Sequence, residues 1–127
     1  MGEEGNISIL DLGCGTGLVG QELRNPVYLV GVDVSLKMIK QNLAKKSNYD
    51  ELICSEIIKY LENEKRIFDL ICMSFVIQFF PPSRVNNLMQ NVSAKLKRMQ
   101  FLFLHLTSHE LDQKLIAKAF LRTQLNS

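Results

Sequence analysis

The run Ile7-Ser8-Ile9-Leu10-Asp11-Leu12, followed by Gly13-Cys14-Gly15-Thr16-Gly17-Leu18-Val19-Gly20, leaves this chain few folds to choose from. The apolar part is too short for a helix and rich enough in branched residues for a buried strand. Four glycines in the next eight positions exceed what packing alone asks for. Glycine is used where the backbone takes positive φ or where another group must come close. A strand, a glycine turn and a helix start together bring a nucleotide-like ligand against free N–H groups at the helix N-terminus.

The pattern leaves two ligand classes open. Gly15-x-Gly17-x-x-Gly20, with Asp33 downstream, matches the dinucleotide fingerprint and its ribose-binding acid. Asp11, two residues before the first glycine, argues against a pyrophosphate, because like charges in one site disfavour each other. A ligand carrying a sulfonium and an ammonium, as S-adenosylmethionine does, makes the same carboxylate favourable, and its adenosine still needs a ribose acid.

Taken in order, the chain alternates strands and helices. A strand at about 7–12 and a helix at about 17–24 are followed by Asn25-Pro26, a stop signal. Val27 to Val32 reads as a strand buried on both faces, with Asp33 at its carboxyl end. Ser35 is placed to cap a helix at about 36–46 with Met38, Ile39 and Leu43 as its buried stripe. Residues 51–54 form a third strand, and Ser55 is expected to cap a short helix with Ile57, Ile58 and Leu61 inward. A fourth strand at about 67–73, a helix opened by Pro81-Pro82 at about 83–97, and a fifth strand at about 100–106 follow. Thr107-Ser108-His109-Glu110 fits a capping box for a last helix to about 125. Such alternation implies right-handed βαβ units and a parallel sheet covered on both faces, binding ligands at the strands' carboxyl ends.

Three segments in this order resemble the class I S-adenosylmethionine-dependent methyltransferases. Asp11-Leu12-Gly13-Cys14-Gly15-Thr16-Gly17 is similar to their first motif, Gly31 to Met38 to the second, and Phe68 to Ser74 to that of the fourth strand. More loosely, Tyr49-Asp50-Glu51-Leu52 is similar to members acting on small molecules. The resemblance implies an α/β, Rossmann-like three-layer sandwich with a mostly parallel sheet in the order 3-2-1-4-5, built by one domain over 1–127 that lacks the family's last two strands. It implies S-adenosyl-L-methionine contacts from Asp11, Gly13, Cys14, Gly15, Gly17, Asp33, Val34, Met38, Ser55, Glu56 and Ser74. In that scheme Asp11 acts on the ammonium, Asp33 on the ribose hydroxyls, and Met38 on the adenine. Glu56 stands near the position where the family carries an acid for the adenine amino group. Phe75, Gln78, Phe79 and Phe80 follow the fourth strand, beside the expected acceptor.

The implied reaction is methyl transfer to a small-molecule acceptor. In-line displacement at an activated sulfonium depends mainly on holding the acceptor aligned, so a catalytic dyad is not required. His105 is the candidate general base. Its i, i+4 partner His109 would make a metal pair only across a strand end and a helix start, and no metal is expected. Two other readings stay open: an inactive cofactor-binding module completed by a partner, and a nicotinamide-dinucleotide oxidoreductase.

Composition narrows the partners. A net charge of +2 with dispersed basic residues argues against nucleic-acid binding driven by phosphates. Three cysteines without Cys-x-x-Cys spacing point to reduced thiols acting as small hydrophobes beside strands, hence to the cytoplasm. No apolar run approaches the ~20 residues of a membrane span. Phe101 to Leu104 in the fifth strand would form an exposed sheet edge, so a homodimer or partner is expected across it, or a longer protein.

Overall fold

A computed structural model describes residues 7–22, 27–74, 76, 79–97 and 102–105. Strand β1 (Ile7–Leu12) lies at the centre, where Ile9, Leu10 and Leu12 are completely buried. On one side β2 (Val27–Asp33) pairs with it in parallel from Ile7↔Val27 to Leu12↔Val32, and β3 (Glu51–Cys54) pairs with β2. On the other side lies β4 (Leu70–Ser74), in register through Leu12↔Met73, then β5 (Leu102–His105). The sheet order is β3-β2-β1-β4-β5, with all pairs parallel, as the sequence predicts.

Both faces are covered, which is why the strands read as nearly continuous apolar runs. Leu10, Leu12, Val30, Val32, Ile71 and Met73 meet α3 (Ile57–Asn63) and α4 (Pro82–Ala94) through Ile58, Leu61, Leu88 and Val92. Full burial of each such side chain stabilises the fold by about 1.5–3 kcal/mol. The opposite face, with Ile9, Leu29, Leu70 and Cys72, packs on Val19 of α1 (Leu18–Glu22) and on Tyr49. Helix α2 (Leu36–Ala44) packs against β2 and β3.

Several local expectations are corrected. Ser35 caps α2 by accepting from the Met38 N–H at 3.2 Å, but the cap of α3 is Glu56, not Ser55. The Glu56 carboxylate accepts from the Lys59 N–H at 3.1 Å, so the helix starts one residue later. Met38 and Leu43 are 39% and 59% exposed, and the residues α2 buries are Ile39 and Asn42. Asn42 is drawn inward because its amide has a carbonyl to donate to, that of Gly15 at 3.3 Å. β4 begins at Leu70 rather than near Ile67, because Phe68 instead forms a bridge to Leu96. Cys14 and Cys72 are buried small hydrophobes as expected, but Cys54 is exposed. The end of the first helix at 23–24 and the last helix over 107–125 lie outside the described residues, as does His109. Among the described residues no helix is long and apolar enough to cross a membrane.

Candidate cofactor site

The site is built where β1 and β2 end. Gly13, Gly15 and Gly17 have φ of 73°, 54° and 98°, a region that side chains with a Cβ rarely adopt. The turn is fastened to β2 because the N–H groups of Gly13 and Cys14 both donate to the Val32 carbonyl, at 2.7 and 3.1 Å. Asp33 closes it: one carboxylate oxygen accepts from the Gly15 N–H at 2.8 Å, the other from the Ser35 N–H at 2.9 Å. Each oxygen keeps a second lone pair, so Asp33 still has acceptor capacity.

The glycines divide into two kinds. A Cβ on Gly15 would meet nothing within 4 Å, the property of a backbone open to a ligand. On Gly17 it would come within 2.7 Å of Asn42, so this glycine also makes room for a side chain of α2. Gly20 and Gly31 make room for Tyr49, whose ring edges lie 2.2 and 2.7 Å from the Cβ positions those residues lack. Packing therefore accounts for two of the four glycines that the sequence assigned to the turn.

Asp11 is 1% exposed. Its Oδ2 accepts from the Tyr49 hydroxyl at 2.5 Å, and its Oδ1 has no partner among the described residues. Burial pushes the Asp11 carboxyl up to about 7, against the pull of the Tyr49 hydrogen bond and with a further push from Asp33. Burial also raises the Tyr49 phenol and the Cys14 and Cys72 thiols, and the charge of Asp11 adds to each. None of the described ion pairs brings a cation to Asp11.

Beside the turn lies a cleft of about 470 Å³, in the range of cofactor sites. Gly13, Asp33 and Glu56 supply its polar wall, and Val34, Ile57 and Val76 its apolar one, with Phe79 and Phe80 at one side. Glu56 stands 3.6 Å from Arg84, whose guanidinium lies over the Phe80 ring. Of the residues singled out in the sequence for the cofactor or the acceptor, Gly13, Asp33, Val34, Glu56, Phe79 and Phe80 line this cleft together. Cys14 is instead buried against Asn42, and Met38 stands partly exposed on α2. Ser55 donates its N–H to the Asp33 carbonyl at 3.0 Å and its hydroxyl to that of Glu56 at 2.9 Å. Ser74 and His105 are paired in register at the ends of β4 and β5, but their side chains lie outside the described part. Asn42 and Val76 are site residues that the sequence reading did not single out, and Tyr49 and Ile57 are ones to which it gave no part in holding the cofactor.

A glycine turn at the middle of a β3-β2-β1-β4-β5 parallel sheet, with acids closing the first two strands, defines a Rossmann-like site for a nucleoside ligand. The chain belongs to the methyltransferase domain family, whose model matches residues 9–99. It is 30% identical over 88 residues to the carboxy-S-adenosyl-L-methionine synthase of Helicobacter pylori (strain P12), covering 66% of this chain and 36% of that protein. It thus spans about a third of the length of such curated relatives. Among solved structures, a SAM-dependent methyltransferase from Archaeoglobus fulgidus is similar at 27% identity and a TM-score of 0.61, over 74% of this chain and 42% of that one. Magnesium protoporphyrin IX methyltransferase from Synechocystis PCC 6803, solved with bound SAM, shares the fold at 16% identity and a TM-score of 0.65, over 89% and 59%.

Proposed function

We propose that this domain uses S-adenosylmethionine to methylate a small-molecule acceptor. The observation that carries the reading is Asp11: a buried carboxyl beside the glycine turn, one oxygen unpartnered, with no cation among the described residues to neutralise it. Such a group suits a ligand that brings positive charge and would oppose the pyrophosphate of a dinucleotide. When bound, the cofactor supplies a methyl group already activated by its sulfonium. The chain's part is to hold the molecule. Gly13 and Gly15 admit it to the backbone, Asp33 accepts from the ribose hydroxyls with its remaining lone pairs, and Glu56 accepts from the adenine amino group. Val34 and Ile57 offer the apolar wall for the ring, and Asp11 meets the ammonium.

Calorimetric titration with S-adenosylmethionine, S-adenosylhomocysteine and NAD tests this. Micromolar binding of the first two and none of NAD is the expected result. Preference for NAD, or no binding by a demonstrably folded chain, would overturn it. The 30% identity to carboxy-S-adenosyl-L-methionine synthase favours one second reading, in which the cofactor is itself the molecule modified. Mass spectrometry of the turnover product separates the two, since a methylated acceptor leaves S-adenosylhomocysteine and a modified cofactor does not. Pairing with a second copy across β5 is a separate proposal, for which light scattering of a concentrated sample should give twice the chain mass.

A further inference from the structure

Tyr49 does more than fill space. Its ring is gripped along both edges by the backbone at Gly20 and Gly31, so its hydroxyl is fixed in place. That hydroxyl donates to Asp11 Oδ2 at 2.5 Å and accepts from the Gly20 N–H at 3.4 Å. One oxygen of Asp11 is thereby occupied and oriented, and Oδ1 is left alone in a buried place. An unpartnered buried acceptor is costly, so this oxygen must take a proton or meet a donor.

The groups facing Asp11 give no relief. From β2 comes Asp33, from the turn Cys14, from β4 Cys72, and from the segment before β3 Tyr49 itself. Among the described residues all are acids or neutral, and none is a cation. Resting on the reading of the site as one for S-adenosylmethionine, we propose that Tyr49 is a positioning residue that presents Asp11 Oδ1 to the ligand's ammonium, and that binding drives the proton off Asp11. In this step the O–H bond of the carboxylic acid breaks, its electron pair stays on the carboxylate, and the proton passes to the buffer. The ligand's ammonium replaces the proton as the charge partner. Affinity is therefore linked to pH through a residue that touches no reacting atom.

The experiment is calorimetry with S-adenosylhomocysteine, which carries the ammonium without the reactive sulfonium. Titrations run from pH 5.5 to 7.5, below the range of about 7.7–8.0 where an α-amino group itself titrates. At each pH a pair of buffers that both hold that pH and differ in ionisation enthalpy counts the protons released. With Asp11 titrating at about 7, binding should release nearly one proton at pH 5.5 and weaken about 25-fold from pH 7.5 to 5.5. Tyr49→Phe keeps the ring between the two glycines and removes only the hydroxyl, which raises the Asp11 carboxyl further. For a rise of about one pH unit, its affinity should fall about ninefold below wild type at pH 6 but only about threefold at pH 7.5. Asp11→Asn should bind weakly and with no pH dependence in this window. Binding without proton release, or a Tyr49→Phe profile displaced equally at every pH, would overturn the inference while leaving the cofactor assignment intact. Failure of the folded wild-type chain to bind at any pH would overturn both. Melting curves for each variant confirm that the folded protein is being compared.

Discussion

At the amino-terminal end of the sheet Glu51, Glu64 and Asp69 each meet a cation, whereas at the carboxyl end Asp11 meets none among the described residues. Arg66 bonds Glu51 at 2.6 and 3.0 Å and Glu64 at 2.8 Å, with Phe68 beneath its guanidinium, and Lys97 lies 3.2 Å from Asp69. Arg66 holds the Glu64 carboxyl down to about 2 and lowers that of Glu51. At the other end burial lifts Asp11 to about 7. The same kind of side chain thus stabilises one end of the fold and strains the other, and the strained end is where the cleft opens. Asp69 shows the constructive use: it accepts from both the N–H and the hydroxyl of Ser8, tying the approach to β4 onto β1.

The largest way to break this contrast is through Asp11. Its folded-state value near 7 lies above the unfolded 3.8, so the folded form holds the extra proton between those values. Stability then falls as pH rises from about 4 to 7, by on the order of 4 kcal/mol. Glu64 acts with the opposite sign: its stabilising contribution is present above about 4.5 and is lost as pH falls toward 2. Denaturant unfolding should show maximal stability near pH 4, and Asp11→Asn should flatten the neutral limb while removing the pH dependence of binding.

Gly20→Ala comes next. A methyl group 2.2 Å from the Tyr49 ring forces the ring away from Asp11, at about 1–3 kcal/mol of stability, with weaker cofactor binding. Arg66→Ala sharpens the comparison from the other end. It leaves Glu51 and Glu64 facing each other without their partner and should cost about 1–2 kcal/mol in thermal or denaturant unfolding, with the cofactor Kd unchanged. Smallest is Arg84→Ala. Its contact with Glu56 is 3.6 Å long and half exposed, so the stability change should stay below about 1 kcal/mol. A larger loss would show that the cleft wall at Phe80 depends on the stacked guanidinium.

Much of this fold is legible in the sequence. Strand composition and the glycine turn placed β1, β2 and their parallel order, because such signals are local and repeat with a fixed period. The positions of Asp11 and Asp33 are legible for the same reason, each lying at or near a strand's carboxyl end. The cap of α3 was missed by one residue because Ser55 and Glu56 are adjacent and both can accept from a helix N–H. The buried stripe of α2 was misread because hydrophobic spacing favoured Met38 and Leu43, while the turn drew in the polar Asn42. Tyr49 stands in the loosely matching Tyr49-Asp50-Glu51-Leu52, but nothing there points to the turn: its meaning lies in Gly20, Gly31 and Asp11, three positions remote from it and from one another. The sequence shows each glycine but not which of them faces a ring.

The grip on Tyr49 also bears on which substitutions this site can accept. The residue at position 49 dictates what positions 20 and 31 can be, since any side chain there collides with the ring. A smaller residue at 49 would release both glycines at once and unfasten the acid behind the turn. Change in this corner must therefore come as coordinated replacements, and single steps through it should each leave a chain less fit than either endpoint.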